Sequence, residues 1–115
     1  MSTICFVVLT HDEEATIARR LWALRNQDLA GSSVETVQII VVDRQSSDRT
    51  LLVSVPFVDG IAVCGSDLEG QWDLGRRIAP DGAVLVRIDP DTEITPWMAA
   101  EAADRADRER WALPA

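Results

Sequence analysis

The sequence predicts an α/β domain: a Rossmann-like three-layer sandwich in which a mainly parallel sheet lies between helices. Three observations carry that expectation. Apolar runs rich in β-branched residues alternate with segments of helical period along the chain. The runs are continuous rather than apolar/polar alternating, as in strands covered on both faces. The 115 residues fit a single domain, since domains most often run to roughly 100–150 residues.

Each element follows in order. TICFVVLT (Thr3–Thr10) reads as a buried strand. HDEEATIARRLWALRNQ then places Ile17, Leu21 and Leu24 at i, i+4 and i+7, which predicts an amphipathic helix. Asp12 is its expected cap, with Glu13 and Glu14 in the first turn, where the helix dipole favours negative charge. LAGSS breaks the pattern before VQIIVVD (Val37–Asp43), a second buried strand. SSDRTLLVSV predicts a short helix ahead of Pro56, with Ser46 or Ser47 as cap. GIAVCG is a third, shorter strand between glycines. LEGQWDLGRRIA is a helix candidate in which Gly70 and Gly75 each cost ~1 kcal/mol against Ala. AVLVRID is the fourth strand. Thr95 and Pro96 are expected to start a last helix through about Trp111, supported by Glu101–Arg105 and Asp104–Arg108 at i, i+4. With no repeat, low-complexity tract or linker, one domain is expected over residues 1–115.

Composition narrows the function. A 47% hydrophobic and 26% charged chain is ordinary globular protein. No apolar run approaches the ~18 residues of a membrane span, and Met1 opens directly into a strand, so no signal peptide and a cytoplasmic location are expected. Eleven arginines, no lysine and nineteen acids give a net charge of −8. Scattered among those acids, the arginines form no basic stripe, which argues against nucleic acid as a partner. An anionic ligand would be repelled unless a metal cation or a few local arginines met it. Cys5 and Cys64 lack metal-ligand spacing and read as buried structural thiols.

In sheets of this kind ligands bind beyond the carboxyl ends of the strands. Thr10, His11 and Asp12 follow strand one; Asp43, Arg44 and Gln45 follow strand two; Asp89 and Asp91 follow strand four. Two carboxylates flanking Pro90 repel each other, and a hard divalent cation with oxygen ligands reconciles them. Pro90 also keeps Asp89 extended along the strand line. The plainer reading makes these acids loop residues and caps, most readily for Asp12 and for Asp48 as a first-turn helix residue. From the residues alone both readings stay open.

FVVLTHDEEATIARRLWAL, VQIIVVDRQSSDRT, GQWDLGRRIAPDG and VRIDPDTEITP, in that order, resemble the N-terminal half of family-2 glycosyltransferases of the GT-A type. The resemblance implies a strand order of 3-2-1-4 and a donor site at the strand ends. Thr10, with His11, Asp12 and Glu14 of the same run, would lie at the donor nucleotide. Asp43 would accept a hydrogen bond from its base, and Asp73 stands where the family's helix motif has an Asn. Asp91, with Asp89 beside it, would hold Mn²⁺ or Mg²⁺ bridging the diphosphate of a UDP-, GDP- or dTDP-linked sugar. The implied activity is transfer of that sugar to an acceptor hydroxyl. The implied order also sets Cys5 and Cys64 an intervening strand apart, roughly 9–10 Å, too far for a disulfide.

The sequence departs from the family pattern in four places. Arg44 replaces an acid or amide, Gln45 replaces a turn glycine, and Trp72 stands where a phosphate-assisting Arg often does. The family's domain also continues for about another hundred residues past the aspartates, supplying the acceptor site and a general base. The resemblance therefore implies a truncated GT-A domain lacking the acceptor-binding half, completed by a partner protein or a homo-oligomer. No general base is visible, because EAADRADRER reads as a solvated helix face. Trp97 and Trp111 are candidate anchors on a surface such a partner would cover. The alternative reading is a catalytically inactive, glycosyltransferase-derived binding or scaffold module, favoured by the missing base and by Arg44 and Gln45. A phosphoryl-transfer receiver or a haloacid-dehalogenase-like phosphatase needs a lysine at the phosphoryl group, and the chain has none.

Overall fold

The computed structural model describes residues 2–112, with side-chain surroundings given through residue 109. Its centre is β1 (Ser2–Thr10), whose residues are apolar or small and almost all buried, so both faces can be covered. Parallel neighbours flank it: β2 (Val34–Asp43) on one side and β4 (Val84–Ile88) on the other, with β3 (Gly60–Val63) beyond β2. The order β3-β2-β1-β4 is the one expected. The register sets Thr10 opposite Asp43 and Val8 opposite Ile88, so the three strands release their next residues at one edge of the sheet.

Period-2 alternation sorts the side chains into two cores. Ile4, Phe6 and Val8 pack with Ile39, Val41 and Ile88 against Ile17, Leu21 and Leu24 of α1 (Ile17–Arg25) and Ala99, Ala102 and Ala103 of α4 (Met98–Ala112). The short α2 (Thr50–Ser54) lies on the same side, with Leu51 and Val53 against this cluster. Cys5, Val7, Leu9, Ile40 and Val42 face the other way, against Trp72 and Leu74 of α3 (Leu68–Ile78). Each large apolar side chain buried in these layers contributes about 1.5–3 kcal/mol. Burial also pushes the Cys5 thiol up to about 11, with the Asp59 charge adding to the effect, so it is inert packing material. Cys64 is only half-buried, which corrects the expectation of two buried thiols; neither forms a disulfide.

One glycine of α3, Gly75, proves to be a packing residue. A Cβ at Gly75 would stand 2.2 Å from Val7 Cγ1 and 3.2 Å from Val42 Cγ2, so only glycine lets the helix approach the sheet this closely. Asp67 caps this helix, accepting a hydrogen bond from the Gly70 N–H.

Three helix starts differ from expectation. α1 begins at Ile17, and Asp12, at φ 49°, lies well ahead of it, so Asp12 is not its cap and Glu13 and Glu14 are not in its first turn. Those residues are instead bonded to the loop after β2. Neither Ser46 nor Ser47 caps α2, because the Asp48 carboxylate takes the Thr50 N–H. α4 starts at Met98, beyond Thr95 and Pro96, since the Pro96 carbonyl accepts from the Asp28 N–H and ties this stretch to the loop after α1. On α4 the Asp104–Arg108 pair closes at 3.0 Å; Glu101–Arg105 forms no ion pair among the described residues. Trp97 is exposed, and the Trp111 side chain lies outside the described residues. Among the described residues no helix is long and apolar enough to cross a membrane.

Candidate functional site

The acid-tipped edge divides into two parts. Between β1 and β2, Thr10 and Asp43 are both fully buried, and the Thr10 hydroxyl donates to Asp43 Oδ1 at 2.6 Å. The Ser46 N–H donates to Asp43 Oδ2 at 2.8 Å and the Ser46 hydroxyl to Oδ1 at 2.6 Å. A buried carboxylate is costly unless its lone pairs are engaged, and here three donors engage them.

Above this pair the β1–α1 and β2–α2 loops are laced together. The Asp12 N–H donates to the Ser46 hydroxyl while Asp12 Oδ1 accepts from the Ser47 N–H. The Glu13 N–H donates to Thr50 Oγ1, the Glu14 N–H to Asp48 Oδ2, and Glu14 Oε1 accepts from the Arg49 N–H. His11 Nδ1 bonds the Arg44 carbonyl. Gln45, standing where the family has glycine, adopts φ 45°, a left-handed conformation that strains a residue with a Cβ.

At β4 the arrangement is open. The chain turns after Asp89, whose N–H donates to Thr92 Oγ1, and Asp91 projects into solvent. The turn is held from α1: Arg20 Nη2 donates to the carbonyls of Asp89 and Thr92 at 2.8 and 2.9 Å. Arg20 Nη1 lies 3.5 Å from Glu13 Oε1, so this residue joins the two parts of the edge. Burial pushes the Glu13 carboxyl up from its usual range, opposed by the His11 N–H bond and the Arg20 charge. Arg87 Nε bonds Asp89 Oδ1 at 2.7 Å, its Nη1 reaches Glu69 Oε1 at 2.9 Å, and its guanidinium lies 5.9 Å from the Trp72 ring centroid.

Of the residues expected at the site, Thr10, His11, Asp12, Glu14 and Asp43 are brought together, and Asp89 and Asp91 lie at the same sheet edge. Asp73 is not: it sits exposed on α3 in an ion pair with Arg76 at 2.7 Å. The α3 side chain that reaches the ends of β1 and β2 is Gln71. It is 1% exposed, and its Nε2 donates to the carbonyls of Thr10 and Val42 at 3.0 and 2.9 Å. Gln71 lies four residues before Gly75 on the sheet-facing side of the helix, and that spacing was the available signal. Arg87 was also missed, although an arginine inside the apolar run VLVRI already needed a partner. Among the described residues no group of three or more His, Cys, Asp or Glu side chains is placed to hold a metal.

A four-stranded parallel sheet of this order with helices on both faces matches the GT-A glycosyltransferase fold. It aligns with S. aureus TarS residues 1–349 at a TM-score of 0.73 and 19% identity, over 96% of this chain and 33% of that one. The same TarS fragment in complex with UDP-GlcNAc gives 0.72 at 19% identity, covering 96% of this chain and 32% of that one. A longer TarS structure also gives 0.72 at 19% identity, with 96% of this chain and 20% of that chain covered. The chain belongs to glycosyl transferase family 2, whose model matches residues 5–112. No curated protein matches significantly. The chain thus spans about a third or less of the TarS structures it resembles.

Proposed function

We propose that this chain is the donor-binding part of a glycosyltransferase, holding a nucleoside-diphosphate sugar at the Thr10–Asp43–Asp89 edge for transfer to an acceptor hydroxyl. The observation that carries the reading is the buried Thr10–Asp43 pair sharing one edge with the Asp89–Asp91 turn, in a member of family 2. Thr10, Asp43 and Gln71 form a rigid floor, and the exposed Arg44 and Gln45 form a rim against which a base and ribose would lie. The UDP-GlcNAc complex of the similar TarS favours uracil over guanine or thymine as the base.

The available donors fit a hard cation held jointly with the substrate. Asp91 is exposed, and the second oxygen of Asp89 takes no hydrogen bond among the described residues. Two carboxylates leave most of an octahedral shell to phosphate oxygens and water, the usual arrangement for Mg²⁺. When bound, Mn²⁺ or Mg²⁺ would neutralise charge on the departing nucleoside diphosphate. The chain's own part is to fix Asp89 through Arg20 and Thr92 and to orient the nucleotide through the β1–β2 loops. The acceptor cleft and general base would come from outside the described residues.

The test is thermal shift and titration calorimetry with UDP, GDP or dTDP, with and without Mn²⁺. A melting-temperature rise with UDP that needs Mn²⁺ is expected, and Asp91→Ala should abolish it while changing stability by less than about 0.5 kcal/mol. Absence of heat with every nucleotide would discard the donor site. A second reading, an inactive binding or scaffold module, is favoured by the saturation of Asp43 and the pairing of Asp89 with Arg87. Nucleotide binding with neither sugar transfer nor donor hydrolysis, once partner and acceptor are supplied, would support it.

A further inference from the structure

Arg87 is placed where a cation and a diphosphate would compete for the same carboxylate. It rises from β4 two residues before Asp89, and both side chains are only partly exposed, at 27% and 30%. Its plane is held by three groups: Asp89 Oδ1 at 2.7 Å, Glu69 Oε1 at 2.9 Å, and the Trp72 ring within cation–π range. Nε and Nη1 make these ion pairs, while Nη2 has no hydrogen-bond partner among the described residues. Glu69 is 74% exposed, so it is a weak tether. The guanidinium therefore has donors to spare, an aromatic rest, and one strong anionic partner.

We propose that Arg87 is an exchange residue: it occupies Asp89 until a nucleoside diphosphate offers a second anion, and its transfer to the phosphate releases Asp89 for the divalent ion. This rests on the donor-binding reading above and adds an order to it. A cation alone must displace a guanidinium from Asp89 and so binds weakly. A diphosphate gives that guanidinium a new partner, since arginine matches phosphate geometry with paired N–H donors. Cation and diphosphate then bind with positive coupling through one side chain that has two partners to choose between. In a chain of net charge −8, the device also admits an anion without leaving an unpaired positive charge at the edge beforehand.

The experiment measures Mn²⁺ alone by the electron paramagnetic resonance of the free ion, and UDP alone by calorimetry in chelator, for wild type, Arg87→Gln and Arg87→Lys. A crossed result is expected. Arg87→Gln should bind Mn²⁺ alone about tenfold more tightly than wild type and UDP alone about tenfold more weakly. Arg87→Lys, which keeps the charge but loses the fork, should fall between them on both measures. A merely structural role would weaken both ligands together, and that outcome overturns the proposal, as does unchanged Mn²⁺ affinity in an Arg87→Gln chain that melts like wild type. Wild-type chain that binds neither ligand overturns the donor reading itself, and the exchange with it.

Discussion

The β1–β2 end of the edge and the β4 end are made of similar residues assembled to different effect. At β1–β2 every acid is spent: Asp43 on Thr10 and Ser46, Asp12 on Ser47, Glu14 on Arg49. At β4, Asp91 is exposed and Asp89 is held by one exchangeable arginine. The difference teaches that acidity alone does not mark a binding group. Saturated carboxylates fix backbone, whether buried like Asp43 or exposed like Asp12 and Glu14, and those with unengaged oxygens are the ones open to a ligand.

Substitutions at the closed end should cost stability, and they rank by how much packing each disturbs. The largest effect is expected from Gly75→Val, which drives a side chain into Val7 beneath the β1–β2 tips. A loss of about 3 kcal/mol is expected in urea unfolding. Asp43→Ala comes next, at about 2–3 kcal/mol by the same measurement, because the Thr10 hydroxyl and Ser46 N–H lose their acceptor. An Asp43→Ala variant as stable as wild type would remove the contrast between the two ends.

Gln45→Gly acts in the opposite direction. Relief of a left-handed residue should stabilise the chain by about 0.5–1 kcal/mol, after the entropy cost of glycine. The smallest effect concerns Glu13, which connects the two ends through Arg20. Its folded pKa is raised, chiefly by burial, so the folded state binds more protons than the unfolded one in that window. Its contribution is present below the unfolded value of about 4.5 and is lost as pH rises through the higher folded value. Melting temperature should therefore fall with pH across that window more steeply in wild type than in Glu13→Gln.

Much of this architecture was legible in the residues. Continuous β-branched runs announced buried parallel strands, and Ile17, Leu21 and Leu24 marked the face α1 buries. Helix starts were less readable, because caps chosen by local chemistry lost to bonds between distant loops: Asp12 serves Ser47 across thirty-five positions. Gly75 of α3 counted against a helix on propensity and is required by the helix's distance from Val7. At the site, strand-end residues were visible because topology puts them at one edge. Gln71 and Arg87 were not, since each matters through a partner on another element.

The placement of β1 has a consequence for biosynthesis. Ile4 finds its partners at Val37 and Val84, so β1, translated before both of its neighbours, completes its ladder only after β4 has been synthesised. At roughly 5–20 residues per second, several seconds pass in which an all-apolar segment has one edge unmatched. A chaperone that shields Ile4–Leu9 on the ribosome should therefore raise the yield of folded protein more than one that acts after release.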